Sequence, residues 1–184
     1  MIRIAFVLCA LPLWSFAAPV NSGVVVGKRP GPYSFLVATG PERGKQTCYI
    51  CEQGVKPAVV IFTRSLNDSV GKFLAKLDPL VIEKKDTGFK VWLTQLTPKA
   101  DLEDLGKWAK SQGIKNAPVG AFEDVDGPPS YKLHNDAEVT ILLFVKEKVV
   151  ANFAYRPGEF TEKRIPEVMK QLPGLFADKA AKGE

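Results

Sequence analysis

The chain has 184 residues, with 25 Lys and Arg against 20 Asp and Glu, a formal net charge of +5 and one histidine. The basic side chains are scattered along the chain and form no stripe interleaved with aromatics, which argues against nucleic acid as a partner. After the first residues no apolar stretch approaches the length of a membrane span, and about 170 residues are enough for one domain with a stable core.

Met1-Ile2-Arg3 places one cation ahead of the apolar run from Ile4 to Phe16, which is followed by the small residues Ala17 and Ala18. That is the pattern of a signal peptide. The run is broken by Pro12 and Ser15 and is too short to cross a hydrocarbon core as a helix, so no permanent membrane anchor is expected after cleavage. Cleavage after Ala17 fits the small side chains at Ser15 and Ala17, and it removes Cys9. The expected organisation is a signal peptide at 1–17, an N-terminal extension with short peripheral strands at 18–44, a domain at 45–176 and a flexible tail at 177–184. A secreted or periplasmic location follows, leaving Cys48 and Cys51 as the mature cysteines.

Between Asn21 and Gly44, Gly and Pro punctuate short β-type runs at Val24–Val26 and Tyr33–Ala38. Pro57 opens the continuous apolar run Ala58-Val59-Val60-Ile61-Phe62, which reads as a strand buried on both faces and is taken as the central one. Ser65, with Asp68 three residues on, predicts a helix start, and Leu66, Val70, Phe73, Leu74 and Leu77 follow at helical spacing before Pro79. Phe89–Leu96 reads as a strand, and 101–112 as a helix closed by Gly113. Pro118–Phe122 predicts a short strand and Ser130–Asn135 a brief helix. Val139–Val145 and Val149–Tyr155 form a hairpin about Lys146-Glu147-Lys148. A terminal helix uses Ile165, Val168, Met169 and Leu172, with Pro166 as a kink or first-turn residue. This order predicts an α/β fold: parallel strands in the middle, an antiparallel edge, and helices on both faces.

The order resembles the thioredoxin superfamily, and the extra strand and short helix between Pro118 and Asn135 resemble its peroxiredoxin-like branch. Three stretches carry the likeness, spanning roughly 27–175: PAVVIFTRSLND at 57–68, AFEDVDGPPSYKLHND at 121–136 and VTILLFVKEKVVANFAY at 139–155. The resemblance implies a thioredoxin-like three-layer sandwich with a central mixed sheet. It also implies an attacking cysteine just after the central strand, at the start of the next helix. Here that segment reads Thr63-Arg64-Ser65-Leu66-Asn67-Asp68-Ser69 and has no cysteine. Ser65 and Ser69 are no replacement without a strong base beside them. Glu138-Val139-Thr140 stands where the family carries a proline before its penultimate strand.

Cys48-Tyr49-Ile50-Cys51 is the one constellation with chemistry of its own, and it precedes the predicted central strand. Three readings stay open. A structural disulfide suits an oxidising compartment but closes too short a loop to gain much entropy. Thiol/disulfide exchange suits the export signal and the resemblance, with Lys45 and Lys56 favouring a thiolate, Glu52 opposing it, and no helix start evident. Metal binding would join Cys48 and Cys51 to His134, with a carboxylate such as Asp136 as fourth ligand.

Arg64, at the end of the central strand, is a candidate ligand-binding residue for an anion, or else a partner for Asp68. Glu123, Asp124 and Asp126 lack the spacing of a calcium loop and read as a solvated turn. Trp92 and Trp108 read as core. The leading expectation is an exported thioredoxin-like protein in thiol/disulfide redox through Cys48 and Cys51, with Cys48 as attacking thiol by analogy. Its partner would be a redox protein or a thiol substrate, and no cofactor is called for. The alternatives are a non-catalytic binding module with a structural bridge, presenting the edge near Arg64, and a small metal-binding protein.

Overall fold

The computed structural model describes residues 18–177, so the expected signal peptide, with Cys9, and nearly all of the expected tail lie outside the described residues. Seven strands form one mixed sheet: β1 (Phe35–Val37), β2 (Gln46–Thr47), β3 (Ala58–Thr63), β4 (Lys90–Leu96), β5 (Val119–Phe122), β6 (Val139–Val145) and β7 (Lys148–Tyr155). Their spatial order is β2-β1-β5-β4-β3-β6-β7. β3, β4 and β5 run parallel, and antiparallel pairs close both sides, β6 and β7 beyond β3 and β1 and β2 beyond β5. Every residue of β3 is buried, as its unbroken apolar run predicts. The two strands added beyond β5 shift the middle of the sheet to β4, so β3 is interior but not central.

Alternation along the strands sorts the core into two faces. Val59, Ile61, Val91, Leu93, Val119, Ile141 and Leu143 meet three helices: α2 (Asp68–Glu83), α3 (Leu102–Ser111) and α4 (Ile165–Met169). Ala58, Val60, Phe62, Trp92, Leu142 and Phe144 meet a thinner layer made of α1 (Tyr49–Gln53), the 3-10 turn Pro129–Tyr131 and the chain around Val24 and Tyr33. Trp92 is fully buried there, its indole N–H donating to the Tyr33 hydroxyl at 2.7 Å, which also meets the Thr94 hydroxyl at 2.9 Å. Burial pushes the Tyr33 phenol well above its ordinary pKa, outweighing these bonds. Trp108, by contrast, is half-buried at the rim of the other face.

Several local expectations are corrected. The cap of α2 is Asn67, whose side chain accepts from the Val70 amide at 3.0 Å; the Ser65 hydroxyl instead donates to Glu138. α2 also continues past Pro79 to Glu83, because Leu80 and Val81 still pack against the core. The brief helix after Pro129 is a single 3-10 turn, and the terminal helix is broken into short 3-10 and α segments with Pro166 in the first turn of α4. No strand forms at Val24–Val26; Val24 is buried and the other two are exposed. The β6–β7 hairpin turns on Lys146 and Glu147, both left-handed at φ 53° and 61°, the combination a two-residue turn of this hand needs.

Candidate functional site

Cys48 and Cys51 are joined in a disulfide with their Cα atoms 5.4 Å apart. Between them the chain begins α1, a helix the sequence reading did not anticipate: Cys48 is its N-cap, and its carbonyl accepts the amides of Cys51 and Glu52. Gly54, left-handed at φ 53°, ends the helix. α1 is barely more than one turn, so its dipole is small, and its place is fixed by packing instead. Tyr49 is buried with its ring 5.5 Å from Phe35 and 5.7 Å from Trp92. Gln53 is buried and its side-chain amide donates to the carbonyls of Pro57 and Gly88, each at 2.7 Å. These two carbonyls precede β3 and β4, so the disulfide sits at the end where the parallel strands begin.

The two cysteines differ in access. Cys48, between buried Thr47 and Tyr49, is half-buried, whereas Cys51 is exposed. Cys51 borders a groove of about 470 Å³ whose other walls include Pro30, Pro32, Ile50, Phe144 and Glu147. An Arg29–Glu147 ion pair of 2.8 Å stands at its rim. The sequence reading missed these residues: Gly and Pro between Asn21 and Gly44 marked only the breaks between short strands, and the approach of Arg29, Pro30 and Pro32 to the β6–β7 hairpin is a long-range contact. On the other side of α1, Glu52 pairs with Lys90 at 2.9 Å, and the Lys90 ammonium lies 5.0 Å from the Tyr49 ring centre. Glu52 is therefore compensated locally. Burial, then the neighbouring Glu42, holds the Tyr49 phenol far above its ordinary pKa, so it is a neutral donor.

Arg64 lies where β3 ends, the opposite end of that strand from the disulfide. It does not pair with Asp68. Its guanidinium donates to the carbonyls of Ala137 at 2.9 Å, His134 at 3.2 Å and Val125, and to Asn135 Oδ1 at 3.4 Å. Burial lowers its pKa and Asp126 partly offsets that. These bonds occupy the side chain in fixing the loop 125–137, which is a physical alternative to holding an anion. Beside it Glu138 accepts from the Ser65 hydroxyl and from the Gly158 amide at 3.1 Å. Ser65 thus meets a carboxylate, and no histidine stands behind it.

His134 is exposed and its Nδ1 accepts the Asp136 amide at 3.1 Å. Its carbonyl meets Arg64, so it belongs to the Arg64 end of the sheet and is not brought to Cys48 and Cys51. Among the described residues no group of three or more His, Cys, Asp or Glu is disposed to hold a metal ion. Asp124 caps its own turn by accepting the Asp126 amide at 2.9 Å, as a solvated acidic turn does.

A mixed sheet with parallel strands at its heart, helices on both faces and an antiparallel hairpin beside β3 define this chain as a protein of thioredoxin-like fold that carries a CxxC disulfide. Solved structures agree. A candidate protein disulfide isomerase from Bacteroides thetaiotaomicron superposes with a TM-score of 0.62 at 21% identity, covering 85% of this chain and 94% of its own. A candidate thiol:disulfide interchange protein DsbE from Chlorobium tepidum gives 0.61 at 15% identity, covering 83% and 98%. Peroxidoxin BcpB from Mycobacterium tuberculosis gives 0.59 at 15% identity, covering 85% and 98%. No family model matches the sequence, and no curated protein does. Among the described residues no helix is long and apolar enough to cross a membrane.

Proposed function

We propose that this protein is exported and takes part in thiol/disulfide exchange through the Cys48–Cys51 pair, with a redox protein or a thiol-bearing substrate as its partner. The observation that carries this reading is a closed CxxC disulfide at the surface, with one of its residues exposed beside a groove. The chemistry needs nothing further: a substrate dithiol gives up two electrons and two protons, and the bridge takes them to become two thiols. The likeness to structures described as a candidate disulfide isomerase and a candidate thiol:disulfide interchange protein supports the same class of reaction. An oxidising compartment outside the cytoplasm, implied by the N-terminal signal pattern, would keep the pair oxidised between turnovers.

One observation favours a second reading, a binding module with a structural bridge. The segment after β3 is fastened by Arg64, Ser65 and Glu138, and the disulfide stands at the other end of the sheet. The two readings part in one assay. Oxidised protein is mixed with a reduced peptide containing two cysteines. Exchange gives an oxidised peptide and free thiols at Cys48 and Cys51 in equal amounts, and the Cys48→Ala/Cys51→Ala variant gives none. A wild-type bridge that stays closed while the peptide stays reduced would reject the redox reading.

A further inference from the structure

Resting on the redox reading above, we infer that Cys51, and not Cys48, is the sulfur that forms the mixed disulfide with substrate, and that the groove beside it receives the chain carrying the substrate thiol. Analogy with thioredoxins puts the attacking role on the first cysteine of the pair, Cys48. Access in this structure is arranged the other way. Which sulfur of a disulfide is attacked depends on approach along the S–S axis and on steric access as well as on leaving-group pKa. Cys51 is exposed and borders the groove; Cys48 is half-buried between two buried neighbours and does not line that groove.

The groove is built on unlike parts of the chain. Pro30 and Pro32 are stiff walls, Phe144 and Ile50 are apolar surface, and the Arg29–Glu147 pair closes one rim with both charges satisfied. Gly54 at its edge is left-handed, so a side chain there is disfavoured on backbone grounds and the approach to Cys51 stays open. Rigid apolar walls without an uncompensated charge suit a thiol on an uncharged or apolar segment. A small anionic thiol would gain nothing from them.

The exchange balances as follows. A substrate thiolate attacks Cys51 Sγ, the Cys48–Cys51 bond breaks, and Cys48 departs as a thiolate that takes a proton from water. A second substrate thiolate then attacks the substrate sulfur of the mixed disulfide and releases Cys51 as a thiolate, which likewise takes a proton from water. The substrate leaves as a disulfide, and the protein holds two thiols.

The first measurement uses reduced wild-type protein, keeping both cysteines, with timed iodoacetamide labelling and fragment-level mass spectrometry of the peptide containing residues 48–51. Cys51 should be labelled at least tenfold faster than Cys48. The second uses the single variants with an apolar cysteine peptide supplied as its symmetric disulfide. Cys48→Ser should form the peptide adduct at least tenfold faster than Cys51→Ser, and oxidised glutathione should discriminate in the same direction with a slower absolute rate. Equal rates, or faster reaction at Cys48, would overturn the inference while leaving the proposed function to the dithiol-transfer assay on the wild type. Failure of both variants to form an adduct would also overturn it. A closed, inert bridge in the wild-type transfer assay would reject the underlying redox reading instead.

Discussion

Opening the Cys48–Cys51 bridge should cost the fold little, and the size of that cost follows from its place. The two residues are separated by three positions in sequence. A closed loop of about four residues removes roughly 6 cal/mol/K of entropy from the unfolded chain, or about 2 kcal/mol at 25 °C. By linkage the same difference sets the folded pair only about 40 mV below the same sequence unfolded, since roughly 30 mV corresponds to 1.4 kcal/mol for two electrons. α1 has other anchors: Tyr49 against Phe35 and Trp92, and Gln53 on the carbonyls of Pro57 and Gly88. Urea unfolding of the wild type with and without reductant, and of Cys48→Ala/Cys51→Ala, should therefore give midpoints displaced by about 2 kcal/mol or less. A loss above about 4 kcal/mol would refute the reasoning, because it would mean that the bridge holds α1 in place and the packing does not.

Other consequences can be checked on the same material. Asp78 is buried on α2 and its Oδ1 accepts the amides of Lys115, Asn116 and Ala117, while Oδ2 accepts the Asn116 side-chain amide at 2.8 Å. Asp78→Ala strands those donors and should cost about 3 kcal/mol in urea unfolding, with Asp78→Asn costing distinctly less because one acceptor oxygen remains. Arg64→Lys keeps the charge but loses the fork that reaches several carbonyls, and should cost roughly 1–2 kcal/mol and speed amide exchange in 125–137. Backbone amides of Asp104 and Glu103 hold the Asp101 carboxyl below its ordinary pKa. Its stabilising contribution to α3 is thus present above the ordinary carboxylate range and lost as pH falls through the depressed value. Asp101→Asn, which caps without titrating, should flatten that part of the acid limb in a pH series of unfolding midpoints.

What could be read from the sequence was what local pattern encodes. The apolar run at 58–62 is β3, the hairpin expected about Lys146-Glu147-Lys148 forms with Lys148 already in β7, and Asp101 and Gly113 bracket α3. α2 outran its proline because tertiary packing of Leu80 and Val81 outweighs one missing amide bond. α1 escaped detection since five residues carry too little periodicity, and its position depends on aromatic contacts with β1 and β4. The cysteine pair was found by spacing alone, but the unequal exposure of its two members was not. Nor was the groove, since that requires Pro30 and Pro32, far off in sequence, to lie beside Phe144 and Glu147 of the β6–β7 hairpin. Arg64 was recognised as a strand-end arginine, and only the folded loop shows that carbonyls take its donors.

The reduction potential of the Cys48–Cys51 pair, measured by equilibrating the protein with glutathione buffers and trapping free thiols, tests the redox reading most directly. A potential above about −230 mV is expected and would put the pair among exchangeable dithiols, whereas a bridge that resists reduction to below about −300 mV would contradict the redox reading and leave a structural disulfide on a binding scaffold.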